Sequence, residues 1–247
     1  MHRHYAALAW AILTASLAAC GHAESAQAVA ETASSKIARD TPRAAVRDDS
    51  LRATSAARLA NAAAATVDTA MFAGGCFWSM ERPFQHVPGV VGTTVGYAGG
   101  HTANPTYEQV NTGATGHAET VLVEFDPARV SYAKLLDVYW HNIDPITKDR
   151  QFCDGGADYR TIIFTRNAAQ QSAALASRAA LVQSGHFKSP VVTDVMANAP
   201  FWRGEDYHQH FADRNPGRYD AYRRGCGRDA RLHELWGNAA SPYVPAS

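Results

Sequence analysis

The chain has 247 residues, 46% hydrophobic and 19% charged, which is enough for one well-packed core with length left for a tail or linker. Lysine plus arginine equals aspartate plus glutamate, 23 each. No large field of either sign exists to draw in nucleic acid or another polyanion.

At the amino terminus His2, Arg3 and His4 precede an apolar run from Tyr5 to Ala19 that closes on LAAC, Leu17 to Cys20. The run is shorter than the roughly 20 residues a membrane-spanning helix needs, and residues 1–19 read as a signal peptide. LAAC resembles the lipobox of bacterial lipoproteins, which implies a protein acylated at Cys20. Gly21 and His22 follow in place of an aspartate, so the resemblance implies a periplasmic protein anchored to the outer membrane. The alternative is an ordinary cleaved signal with an incidental cysteine. Residues 20–65 are rich in alanine, serine, threonine and charge, without an aromatic. Such a segment buries too little surface to offset its ordering entropy and reads as a flexible tether, with transient or docked helix in SAARLANAAAA as the alternative.

From residue 66 the texture changes. TVDTAMFA (66–73) has strand character, and Gly74 and Gly75 permit a tight turn into a short helix from Cys76 towards His86, interrupted by Pro83. VVGTTVGY (90–97) is a second strand, followed by a long glycine- and asparagine-rich loop, and HAETVLVEF (117–125) is a third. SYAKLLDVYWHN (131–142) is a helix with an apolar stripe of Tyr132, Leu135, Leu136 and Tyr139, and Ser131 can cap it. A strand at 159–165, a long helix at 167–185 and a strand at 190–197 complete the pattern. The order strand, helix, strand, strand, helix, strand predicts an α+β sandwich of the split βαβ, ferredoxin-like kind over residues 66–238. A long, loop-rich carboxyl-terminal tail follows the last strand, disordered over 239–247.

Cys76 lies at the end of the first strand and the start of the first helix, where free N–H groups and the helix dipole favour a thiolate. Buried packing is the competing role for a cysteine, but two preceding glycines leave the sulfur uncrowded. In the third strand, alternation sets Glu119 on the side of Val121, Val123 and Phe125. On that side desolvation raises its pKa and keeps it protonated, as a proton donor must be; otherwise it is a strand-end carboxylate in water.

GGCFWSME, GYAGG, NPTYEQV, TGHAE, HNIDP, QFCDGGADYR and HQHF with NP, in this order from about Thr69 to Trp236, closely resemble the peptide methionine sulfoxide reductase A family. The resemblance implies that Cys76 attacks the sulfur of a methionine sulfoxide, free or in proteins, and that Phe77 and Trp78 hold its S-methyl group. It implies that Glu119 protonates the departing oxygen, that Tyr107 and Tyr159 hydrogen-bond that oxygen, and that Asp154 supports the cluster. Preference for the S-sulfoxide and repair of oxidised exported proteins follow from the same resemblance.

Attack leaves Cys76 as a sulfenic acid, which a second thiol converts to a disulfide that a thioredoxin-like reductant opens. Position 79 is serine, so no CxxC pair forms with Cys76. Cys226, in RRGCGRDARLHELWG, resembles the resolving cysteine of one family branch, and its flanking glycines would let it swing inward. Cys153, beside Asp154, is the rival, or the second stage of a relay. No metal or other cofactor is expected: His208 and His210 of HQH are two apart and would point to different sides of a helix. Met71 and Met80 read as packing residues, and the protein as a monomer. Two other functions use the same residues: acyl-transfer hydrolysis with His117, His141 or His208 as base to Cys76, and a lipoprotein that binds methionine-rich partners through Phe77 and Trp78.

Overall fold

The computed structural model describes residues 66–239. The signal segment, Cys20, the tether to residue 65 and residues 240–247 lie outside the described residues.

A six-stranded sheet carries the site. Its strands are β1 (Asp68–Gly74), β2 (Val90–Ala98), β3 (Ala118–Phe125), β6 (Thr161–Thr165), β7 (Asp194–Ala197) and β8 (Phe201–Arg203), in the spatial order β7-β6-β1-β3-β2-β8. Only β6 and β7 run parallel; β3 lies between β1 and β2 and is antiparallel to both. A separate hairpin joins β4 (Arg150–Gln151) and β5 (Asp154–Gly155). The fold is mixed α+β.

One face of the sheet holds the main core. Ala70 and Phe72 of β1 and Val121 and Val123 of β3 pack there against α1 (Phe77–Gln85) and α3 (Tyr132–Trp140). Phe72 stacks on Phe84 at 5.0 Å and on Tyr139 at 5.1 Å. Each fully buried ring of this size contributes about 1.5–3 kcal/mol. Tyr139 donates its hydroxyl to the Ala73 carbonyl at 2.9 Å, which fixes the last turn of α3 against the end of β1. The opposite face buries Met71, Ala73, Ala118, Ile162 and Phe164. The long helix α4 (Ala168–Gln183) starts at Asn167, whose side chain accepts from the Gln170 amide, as an N-cap should.

Three segments differ from the expectation. The loop after β2 contains α2 (Tyr107–Asn111), held by a reciprocal capping box between Thr106 and Gln109. The strand expected over 190–197 shortens to β7, because the Val192 amide leaves the sheet for the Pro145 carbonyl. The loop-rich tail is a correction. After β8 the chain forms α5 (Phe211–Arg214), α6 (Pro216–Gly225) and α7 (Arg228–Trp236), then a 3-10 turn over Gly237–Ala239. These helices lack a continuous apolar stripe, so periodicity missed them. Tertiary packing of Phe211, Tyr219, Leu232, Leu235 and the fully buried Arg228 holds them instead.

Candidate active site

The site forms where three strand ends meet. β1 ends at Gly74, and Gly75 turns the chain with φ of +87° into Cys76, the N-cap of α1. A Cβ at Gly75 would lie 2.4 Å from the Cβ of Gln151, so the position excludes any side chain twice over. The pairing of Ala73 with Thr120 sets Glu119 level with Gly74 on one side. On the other side Gly74 pairs with Thr161, which places Tyr159, two residues earlier, at the same end of the sheet.

Cys76, Phe77, Trp78, Tyr107, Glu119, Asp154, Tyr159 and Tyr222 line one cavity of about 100 Å³. The space is small and suits a compact polar head with a methyl group. Seven of these eight residues are those singled out in the sequence; the eighth, Tyr222, was hidden in the segment expected to be loop.

Glu119 is 3% exposed and accepts the Phe77 N–H through Oε2 at 2.9 Å. Burial pushes its carboxyl well above the usual range, with that hydrogen bond opposing and Asp158 and Asp154 adding to the rise. Burial therefore favours the protonated form of this carboxyl. Cys76 is 6% exposed, and its thiol is pushed up to about 12, first by burial and next by Glu119. The resting thiolate expected from the helix N-terminus is thus corrected: desolvation outweighs the dipole, and the sulfur rests protonated. Asp154 is also raised by burial, opposed by its bond from Tyr222 and by Arg228. Tyr107 and Tyr159 both rise because they are buried and next because Glu119 is near, so both remain neutral donors.

The aromatic wall is built from distant segments. Trp78 stacks on Phe211 at 3.7 Å, nearly parallel, and donates Nε1–H to His208 Nδ1 at 3.1 Å. His208 lies 4.8 Å from the Phe77 ring and 4.5 Å from Tyr107. Burial lowers its pKa to about 4, so it is neutral and able to accept from Trp78. Glu205 secures the same corner: it accepts from the Tyr97 hydroxyl at 2.7 Å and from the Tyr107 N–H at 2.8 Å.

Cys153 and Cys226 form a disulfide across 73 positions, with Cα atoms 4.8 Å apart. Cys153 is exposed and Cys226 half-buried. Cys226 is the C-cap of α6, between Gly225 and Gly227, and Gly227, left-handed at φ of 62°, is the N-cap of α7. The Cys153 Sγ lies 3.5 Å from Asp154 Oδ1, so the disulfide borders the cavity.

The histidines offered as bases for hydrolysis go elsewhere. His117 bonds Gly100 and Thr102, His141 bonds the Asp137 carbonyl, and none of His117, His141 and His208 lines the cavity. His208 faces Trp78 while His210 faces Glu81 and Gln85, so the HQH pair does not converge.

A buried thiol, a buried carboxyl in the same cavity and a disulfide at its edge define a thiol-dependent oxidoreductase. The family model for peptide methionine sulfoxide reductase matches residues 68–240. The chain is 48% identical over 170 residues to peptide methionine sulfoxide reductase MsrA of Bacillus subtilis, covering 69% of this chain and 96% of that protein. It is 49% identical over 179 residues to MsrA 2 of Rhizobium meliloti, covering 72% and 88%. Methionine sulfoxide reductase A of Corynebacterium diphtheriae has a similar structure, with a TM-score of 0.55 and 32% identity over 61% of this chain and 76% of that one. The chain belongs to the peptide methionine sulfoxide reductase family, and it reduces methionine sulfoxide.

Proposed function

We propose that Cys76 is the attacking sulfur and Glu119 the acid in the reduction of methionine S-sulfoxide, free or within oxidised proteins. The observation that carries this is one cavity shared by Cys76, Glu119, Phe77 and Trp78. Phe77 and Trp78 hold the S-methyl group, while Tyr107 and Tyr159 donate to the sulfoxide oxygen. Cys76 Sγ attacks the substrate sulfur and forms an S–S bond while Glu119 protonates the oxygen; the hydroxyl then passes from the substrate sulfur to Sγ as the S–O and S–S bonds break. Methionine leaves, the oxygen and one proton remain on Cys76 as a sulfenic acid, and the thiol proton returns to Glu119. A buried neutral acid suits this role because sulfoxide oxygen leaves poorly unless protonated.

Cys226 then attacks the sulfenic sulfur, forming a Cys76–Cys226 disulfide and water. Cys153 takes over Cys226, freeing Cys76 as a thiol and leaving Cys153–Cys226 for the reductant. The disulfide between Cys153 and Cys226, with Cys153 exposed, supports this order. A thioredoxin-like dithiol opens it, so one turnover converts sulfoxide and dithiol to methionine, disulfide and water. The domain acts as a monomer on a split βαβ, ferredoxin-like unit, a reading supported by β3 lying between β1 and β2. It is carried on a lipid anchor at Cys20 to the periplasmic face of the outer membrane, where it repairs exported proteins; LAAC supports this.

The test is methionine formation from free and peptide methionine sulfoxide with dithiothreitol, for wild type and Cys76→Ser. Turnover lost only in Cys76→Ser supports the assignment, and full activity in that variant overturns it. Labelling with radioactive palmitate, for wild type and Cys20→Ser, tests the anchor.

A further inference from the structure

Tyr222 has no part in the scheme above, yet it touches three groups that do. Its hydroxyl donates to Asp154 Oδ2 at 2.5 Å and interacts with the Cys76 thiol, and its ring meets Trp78 edge-on at 6.0 Å. It also lies one helical turn before Cys226, whose N–H bonds the Tyr222 carbonyl at 2.9 Å. The phenol and the relay cysteine therefore belong to the same turn of α6. A continuous path runs from Cys76 through the Tyr222 hydroxyl and Asp154 to the Cys153 sulfur.

A phenol has one proton to donate. In the resting site Asp154 takes it; once the Cys76 thiol gives up its proton to begin attack, the charged sulfur competes for it at the same oxygen. We infer that Tyr222 is a further catalytic residue, whose hydroxyl turns from Asp154 to the Cys76 sulfur during attack and is withdrawn when its helical turn brings Cys226 in. This rests on Cys76 as the attacking sulfur. Burying a thiol beside two carboxyls opposes its ionisation, and the phenol is the side-chain donor that works the other way.

The test is Tyr222→Phe, which keeps the ring against Trp78, in a full chain with Cys20, Cys153 and Cys226 replaced by serine so that Cys76 alone reacts. The groups facing Cys76 are then Glu119 from β3, Asp154 from β5, Tyr107 from α2, Arg228 from α7 and the altered position. The expected result is an alkylation rate of Cys76 by iodoacetamide, measured below its inflection, that falls about tenfold, equal to one pKa unit. Methionine formation in a single turnover falls in parallel. An unchanged alkylation profile overturns the inference. With the relay cysteines restored, loss of the Cys76 sulfenic acid, followed by dimedone trapping, proceeds at least as fast in Tyr222→Phe as in wild type. Slower loss overturns the withdrawal step. Sulfoxide reduction by wild type and its loss in Cys76→Ser are read separately, so failure of Tyr222 and failure of Cys76 are distinguishable.

Discussion

The Phe77 amide donates to the Glu119 carboxyl at 2.9 Å, tying an aromatic wall of the cavity to a buried carboxyl 42 positions away. One bond thus sets the distance between the ring proposed to hold the substrate's methyl group and the carboxyl proposed to protonate its oxygen. Glu119→Gln keeps an acceptor for Phe77 but loses the proton. Its rate of methionine formation should fall by about 10²–10⁴-fold, the usual span for a positioned acid, with little change in KM.

The same carboxyl carries a stability signature. Its pKa in the folded protein is raised, so its contribution is complete below the ordinary carboxylate value of 4.5 and is lost as pH rises through the folded value. Glu119→Gln does not titrate. Its Tm relative to wild type should therefore climb as pH rises from about 4.5, the unfolded value; a flat difference would show that burial leaves Glu119 unperturbed.

The relay assigns different failures to its two cysteines. Cys153→Ser should still release one methionine per enzyme and then accumulate a Cys76–Cys226 disulfide, visible by peptide mapping under non-reducing conditions. Cys226→Ser should stop at the sulfenic acid, which dimedone traps. Both should lose multiple turnover with thioredoxin while keeping it with dithiothreitol. Loss confined to Cys153→Ser would reverse the order of the relay.

His208 holds Trp78 through its neutral Nδ1. His208→Ala leaves the indole N–H without that acceptor in a half-buried site, at about 1–3 kcal/mol. KM for methionine sulfoxide should rise several-fold to about a hundredfold, more than kcat falls. In wild type the histidine pKa is depressed, so its stabilising contribution is present above the ordinary value of 6.5 and is lost as pH falls towards about 4. Tryptophan fluorescence should report the detachment only as pH falls through about 4, where the folded histidine itself takes up the proton.

Gly75 combines a left-handed backbone with a 2.4 Å approach to the Gln151 side chain. Gly75→Ala should lower the unfolding free energy by about 2–4 kcal/mol, from strained backbone and forced displacement together. Urea denaturation measures it.

How far the chain could be read before folding depended on where its order comes from. β1, β2, β3, α3 and α4 announce themselves through alternation, apolar stripes and caps such as Ser131, so they were legible within a few residues. The cluster around Cys76 was legible because its parts sit in rare words that resemble a family. Tyr222 was not, because its helix has few apolar positions and owes its form to contacts with remote segments; its only local signal is the four-residue spacing to Cys226. The resting state of Cys76 was likewise hidden. A helix N-terminus can be read from sequence, but the desolvation that overrides it depends on what the fold stacks above the sulfur.

Cys76 follows the central strand of the sheet, whereas Cys153 sits in a two-residue hairpin and Cys226 at a joint between late helices. The two halves of the cycle therefore have unequal mechanical footing. Yet Trp78 stacks on Phe211 and meets Tyr222 edge-on, so the late helices that hold Cys226 also hold one wall of the Cys76 cavity, and loosening them disturbs both halves of the cycle together.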